Sequence, residues 1–347
     1  MAYTTIDNPE LYFQCKIWTG TGSSNALTLD GDENMQPDFV WVKRRNSAGG
    51  HMLTDVIRGV TKTIITNETG AEQTFTNGLT AFGSDGFTVG SESGFNNSSD
   101  TFVAWNWKAG TAWSNDASAT GVGSLDSSGS KSATAGFSII SFTGTESGTP
   151  SIAHGLSSTP EFIISKARAI TDNWMAFHGS FSAQDYMLFN TTAAKASASS
   201  VWNSLPSSTV INMGDNAGVN DDGDMIMYAW HSVQGFSKFG SYTGNANADG
   251  NFIYTGFKPA FILFKGSANT ENWSMYDNKR LGYNVDNNVL YPNDNSAEGT
   301  SDDIDFLSNG FKIRRQTGLL NDAQNYIYMA FAESPFVNSN GVPTNAR

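Results

Sequence analysis

Four histidines, one cysteine and a scatter of carboxylates are the residues of this 347-residue chain best equipped for chemistry. His51, His154, His178 and His231 include no pair at metal-ligand spacing. No GxSxG elbow, phosphate-cradling loop or HExxH motif is written anywhere. A glycosidase needs only two well-placed carboxylates, and Asp55 and Asp277 sit at matching places in a pattern described below. Each, however, precedes an arginine by three residues, Arg58 and Arg280, which predicts a structural ion pair. Where those pairs would recur, the chain has His178 and Phe181. No catalytic residue is assigned, and the chain is expected not to be an enzyme. The acidic clusters DGDE (30–33), NDDGD (220–224) and SDDID (301–305) offer loop oxygens that suit calcium, yet none has the full DxDxDG pattern. They read as solvated loops, so neither metal nor cofactor is expected. Cys15 has no partner for a disulfide and reads as a small apolar residue of a first strand.

The elements that would position these groups come in threes. QPDFVWVK (36–43), TPEFIISK (159–166) and KPAFILFK (258–265) each run from a proline to a lysine six residues on. Seven polar residues follow in each, RRNSAGG, ARAITDN and GSANTEN, and then HMLTD, WMAFH and WSMYD. The copies close on FVAWNW, MIMYAW and YIYMAF. The distance from proline to last aromatic, Pro37 to Trp107, Pro160 to Trp230 and Pro259 to Phe331, is 70, 70 and 72 residues. Each copy opens on an aromatic residue before Thr-Gly, at Gly20, Gly144 and Gly244. A second hairpin lies between, FGSDGFTV (82–89) and FLSNGFKI (306–313), whose Asp-Gly and Asn-Gly pairs predict type I′ turns. The middle copy has LPSSTVIN instead, and its turn is expected to have reshaped. A glycine before the closing strand, in GFN, GVN and GLLN, is expected to bend the chain.

Helical periodicity is nearly absent, the best stretch being the short AKASASSVW (194–202). The expected fold is therefore all-β: three tandem antiparallel β-sandwich repeats, jelly-roll or lectin-like, of about 100 residues each. The boundaries fall at 1–12 for an N-terminal segment, 13–110, 136–235 and 236–336 for the repeats, 111–135 for a Ser/Gly-rich linker, and 337–347 for a C-terminal tail. The proline-led strands are apolar on both faces, unlike a sandwich strand with one wet face. A neighbouring copy or subunit should cover the outer face, which predicts a homo-oligomer, with a trimer the first choice.

Acidic residues outnumber basic ones 33 to 20, for a formal charge of −13, so nucleic acid is not an expected partner. The opening MAYTTIDNPELYF lacks the basic and apolar regions of a signal peptide, and no apolar run is long enough to cross a membrane as a helix. Export by that route and membrane insertion are not expected. If the chain binds a ligand, the polar loops are where variation sits on a fixed scaffold. The first loop carries Arg44, Arg45 and Asn46, suited to an anionic glycan. Trp113, in the linker, is the one tryptophan without an obvious core to enter and suits stacking on a sugar or docking on a subunit.

PDFVWVKRRN, DGFTVG, VAWNWKAG, GFKPAFILFK, NWSMYD, DFLSNGFKI and YIYMAFAESPF together resemble a repeat module of marine phage virion proteins, cyanophage- and pelagiphage-like, over residues 13 to 336. The middle copy departs most. The resemblance implies a tail fibre or host-binding appendage, with a capsid decoration or minor tail protein as the alternative and a polysaccharide depolymerase behind both. It implies other virion proteins as partners, a host surface glycan as target, and a virion location: made in the host cytoplasm, working outside the cell.

Overall fold

Each proline-led strand is buried on both faces because the protein packs something against each. The structure, a computed structural model, describes residues 3–280, 284, 287–301 and 303–344. It is all-β, with single helical turns at Pro9–Leu11, Ser93–Asn96, Ala117–Thr120 and Ala217–Asn220 among the described residues. Three larger antiparallel sheets share one strand order. The first runs Phe13–Thr19, Thr101–Trp107, Phe39–Arg44, His51–Asp55, Lys62–Ile65, Gln73–Thr74. The second repeats that order with Phe137–Thr143, Asp224–Trp230, Phe162–Ala167, Met175–His178, Asp185–Leu188 and Ala196–Ser197. The third has Ser237–Thr243, Asn325–Pro335, Phe257–Gly266 and Ser274–Asp277. In every case the closing strand lies between the opening and the proline-led strands. Trp107 faces Phe13 and Phe39, Trp230 faces Phe137 and Phe162, and Phe331 faces Ser237 and Phe261.

A smaller sheet accompanies each: Asn25–Thr28 with Gly86–Val89 and Leu79–Gly83, Ser151–Ala153 with Val210–Asn212, and Phe252–Tyr254 with Gly310–Ile313 and Ile304–Leu307. Strand alternation then sorts the side chains. Val40, Val42, Phe102 and Ala104 pack with Leu27, Leu79, Phe87 and Val89 of the first small sheet, and Ile262, Phe264 and Ala330 pack with Ile253, Phe306 and Phe311 of the third. The alternate residues Phe39, Trp41, Trp105 and Trp107 point the other way, into a core shared with Phe162 and Trp230 of the second sheet and Phe261, Trp273 and Phe331 of the third. Each unit is sandwich-like, and its remaining face is covered by the other two sheets of the same chain. The doubly apolar strands, which motivated a homo-oligomer, are thus accounted for within one chain.

Several sequence expectations change in detail. Pro37 and Pro160 stand two residues before their strands, while Pro259 lies inside Phe257–Gly266, where register shifts on either side accommodate its missing N–H. The Asp-Gly and Asn-Gly hairpins turn one residue earlier than a type I′ turn on those pairs. Gly83 pairs with Gly86 and Leu307 with Gly310, so Ser84–Asp85 and Ser308–Asn309 form the tips, without positive φ. The glycines are required by the strand passing over them: a β-carbon would stand 2.0 Å from Leu27 O at Gly86 and 2.1 Å from Ile253 O at Gly310. In the middle copy, where the turn was expected to have reshaped, the small sheet has two strands among the described residues.

Residues 111–135, expected as a linker, form strands Thr111–Asn115 and Ser127–Ser132, which extend the edge of the second sheet beyond Phe137–Thr143. Small side chains let this run lie flat on its neighbours. Ser127, Ser130 and Ser132 are buried, and the Ser127 hydroxyl donates to Ala153 O at 3.0 Å. At the ends of the chain, Ile6 enters the shared core and the Ser339 N–H donates to Asp7 at 2.6 Å, so the segments before 13 and after 336 meet; residues 1, 2 and 345–347 lie outside the described residues.

Candidate functional site

The seven-residue polar loops, where binding was expected, each dock on another sheet of the chain. The backbone N–H of Glu298 donates to Arg45 O at 2.7 Å, that of Glu72 to Arg168 O at 2.8 Å, and that of Lys195 to Ser267 O at 2.9 Å. Arg45, Arg168 and Ser267 are each the second residue of their loop. The first loop meets the third unit, the second meets the first, and the third meets the second, which closes a ring. Two of the three seams add a two-pronged ion pair. Arg45 holds Glu298 through Nε and Nη2 at 3.0 Å each, and Arg168 holds Glu72 at 3.1 Å each.

Beneath these lie the paired carboxylates. Arg58 meets Asp55 at 2.5 Å and Arg280 meets Asp277 at 2.6 Å, all four side chains fully buried. Asp55 also accepts from the Tyr228 hydroxyl at 2.7 Å and Asp277 from Trp105 Nε1 at 2.9 Å, so each pair anchors a neighbouring sheet. Glu72 and Glu298 extend the networks to Arg58 and Arg280 at 3.5 and 3.1 Å. Asp55 and Asp277 are thereby committed to guanidinium and ring partners. At the third seam His178 takes the aspartate's position: its Nδ1 is 2.8 Å from Ser180 Oγ and its Nε2 is 3.3 Å from Tyr328 O. Burial lowers its pKa to about 4.

A further set of equivalent contacts follows the loops. Trp174 Nε1 donates to Ile65 O at 3.3 Å and Trp273 Nε1 to Leu188 O at 3.1 Å. His51 holds the same place in the first unit, fully buried and facing the carbonyls of Tyr291 and Asp294, without a hydrogen bond of normal geometry at either nitrogen. Burial, and then the Lys43 charge, hold its pKa well below the usual histidine value. Lys43, Lys166 and Lys265 are buried and donate only to carbonyl oxygens: Asn295 at 3.1 Å, Ala167 and Ile170 at 2.8 and 3.0 Å, and Thr192 and Asn269 at 3.2 and 3.1 Å. Burial brings each to a pKa of about 8.

Asparagines carry a role that the sequence reasoning passed over. Asn96, Asn220 and Asn321 are fully buried and accept through Oδ1 from the backbone N–H of Thr21, Thr145 and Asn245, at 3.0, 2.8 and 3.0 Å. They tie the loop after each Thr-Gly to the turn before each closing strand. The signal was present as the Asn of GFN, GVN and GLLN. The glycines of Thr-Gly serve the same junction, since a β-carbon at Gly20, Gly144 or Gly244 would stand 2.0–2.2 Å from the carbonyl of Asn97, Asp221 or Asp322.

The residues chosen for glycan binding are thus engaged by their own chain. Arg44 pairs with Asp100 at 3.0 Å and also donates to Ala48 O, and Asn46 donates to Asp100 at 3.0 Å. Hydrogen bonds from Asn97 and then from Asn46 and Arg44 hold the Asp100 carboxyl below its usual range. Arg45 points elsewhere, to Glu298. Trp113 is half-buried in the second sheet, its indole against Gly155, where a β-carbon would come within 2.7 Å of Cε2. The structure brings Arg44 and Asn46 together on Asp100 and leaves Arg45 and Trp113 apart from them. In the acidic clusters, Asp30 pairs with Lys16 at 2.5 Å, Asp224 with Arg168 at 3.6 Å and Asp305 with Arg314 at 3.3 Å. Asp302 lies outside the described residues. Among the described residues no three His, Cys, Asp or Glu side chains are grouped to hold a metal.

A family model described as a domain of unknown function (DUF7483) matches residues 8–335, a span that takes in all three sheets. No curated protein and no solved structure matches the chain.

Proposed function

The chain belongs to the DUF7483 family, and for this member we propose a non-enzymatic structural or binding role in a virion, as part of a tail fibre or host-attachment appendage. The carrying observation is that Asp55, Asp277, His178 and the loop arginines are spent on equivalent seams that close three sheets into one body. Rigid β scaffolds of this kind suit display of surface for recognition. We read the architecture as three tandem β-sandwich repeats, at 13–110, 111–235 and 236–336, with the serine-rich strands counted to the second. Its partners would be other virion proteins and a host surface glycan.

Closure within a single chain also favours the second reading, a capsid decoration or minor tail protein, because such a body needs no sister chains to complete it. The test is immunogold electron microscopy of phage particles carrying this protein. Label at the tail tip supports the appendage, label over the head supports decoration, and particles without label refute both.

A further inference from the structure

Aromatic residues make up 12% of the chain, yet among the described residues only two rings are exposed rather than buried or half-buried. They are Phe252 and Tyr254, each 47% exposed, and they flank the buried Ile253 on one edge strand. Residues two apart on a strand share a face, at about 6.6 Å spacing, so the two rings stand side by side on the outer surface of the third unit. The equivalent strands carry Ala26 and Thr28 around Leu27, and Ser151 and Ala153 around Ile152. The rings are therefore an addition peculiar to one unit, and packing does not demand them.

Their setting is polar. The Tyr254 hydroxyl is 3.1 Å from that of Tyr3. Lys238 donates to Tyr254 O at 2.7 Å with its ammonium 5.5 Å from the ring centre. Across the strand pair, Lys312 stands opposite Phe252 and pairs with Asp249 at 2.7 Å. The Phe252 ring leans over Gly310, where a β-carbon would come within 3.1 Å of Cε2.

We propose that Phe252 and Tyr254 form a carbohydrate-binding platform. A pyranose presents an apolar C–H face edged by hydroxyls, and this surface presents two half-exposed rings edged by phenol, ammonium and carboxylate groups. The exposed aromatic area matches a small ligand. At 47% exposure the two rings offer roughly 70–120 Å² each, far below the ~1,200–2,000 Å² of a stable protein interface but sufficient for one or two sugar rings. The site is separate from Arg44, Arg45, Asn46 and Trp113 and does not depend on where in a particle, or whether in a particle, the protein resides.

The experiment is affinity gel electrophoresis of the full chain, and of F252S/Y254S, in gels cast with dextran, laminarin, galactomannan, xylan or alginate, beside light scattering of both proteins. The expected result is retardation of the wild type by at least one polysaccharide, weakened tenfold or more in the double variant, with unchanged circular dichroism and mass. Because both side chains are half in solvent, the variant should keep the fold. Equal migration of both proteins in all five gels overturns the proposal, as does retardation undiminished in the variant. A wild-type dimer that becomes monomeric in the variant also overturns it and assigns the strip to a second copy of the chain.

Discussion

Lowering the pH should loosen this protein in a window set by its buried histidines. His154 and His178 are both pushed down to about 4, chiefly by burial, from an ordinary value near 6.5. The unfolded chain takes up these protons near pH 6.5 and the folded chain only near 4, so stability is lost as the pH falls through that interval. Each unit of pH costs about 1.4 kcal/mol per histidine. Between pH 7.5 and 5.0 the loss is about 2 kcal/mol for each, or about 4 kcal/mol together, a large part of a typical ~5–15 kcal/mol. His51, also held low by burial, acts in the same direction. Asp38, whose carboxyl burial raises, works the opposite way at the acidic edge of the window. Urea unfolding at the two pH values measures the effect, in the wild type and in H154Q and H178Q. Each glutamine variant should recover about 2 kcal/mol of the acid loss. Equal stability at both pH values, or an undiminished loss in both variants, would refute the reasoning.

Three further outcomes follow from the contacts described above. Arg58→Met leaves the buried Asp55 carboxylate without its cation and should cost about 3–5 kcal/mol, whereas Arg44→Ser, at a partly exposed pair, should cost about 1 kcal/mol or less; thermal or urea melts distinguish them. Asn220→Ala strands the Thr145 N–H and the Gly214 carbonyl, for a loss of about 1–3 kcal/mol in the same assay. Because the doubly apolar strands are covered within the chain, light scattering at micromolar concentration should return the 37.3 kDa monomer; a trimer would mean that another surface carries association.

Much of the architecture was legible because a pattern written three times amplifies weak signals. One Pro-led apolar run is ambiguous, but three at matched distances locate Trp107, Trp230 and Phe331 on equivalent strands before any coordinates. The Asp55–Arg58 and Asp277–Arg280 pairs were readable for the same reason, being local and written twice. What the residues did not reveal was long-range. A strand apolar on both faces says that each face is covered, not by which chain. Arg44 and Arg45 looked free because their partners, Asp100 and Glu298, lie 56 and 253 residues away. The 111–135 segment has the composition of a linker, but its backbone can still pair at a sheet edge, and serine is small enough to be buried there. Phe252 and Tyr254 escaped notice because exposure is not visible in residue type: on sequence alone they look like every other strand aromatic.

The central claim is that three equivalent sheets close around one shared core within one chain, and differential scanning calorimetry tests it most directly. Independent units on a tether would unfold separately, each with a van't Hoff enthalpy near 70 kcal/mol for about 100 residues. A closed ring whose core draws Trp107, Trp230, Trp273 and Phe331 from all three units should unfold as one. The account predicts a single transition whose calorimetric and van't Hoff enthalpies agree, at roughly 240 kcal/mol near 60 °C. Two or three resolved transitions, or a van't Hoff enthalpy a third of the calorimetric one, would contradict it.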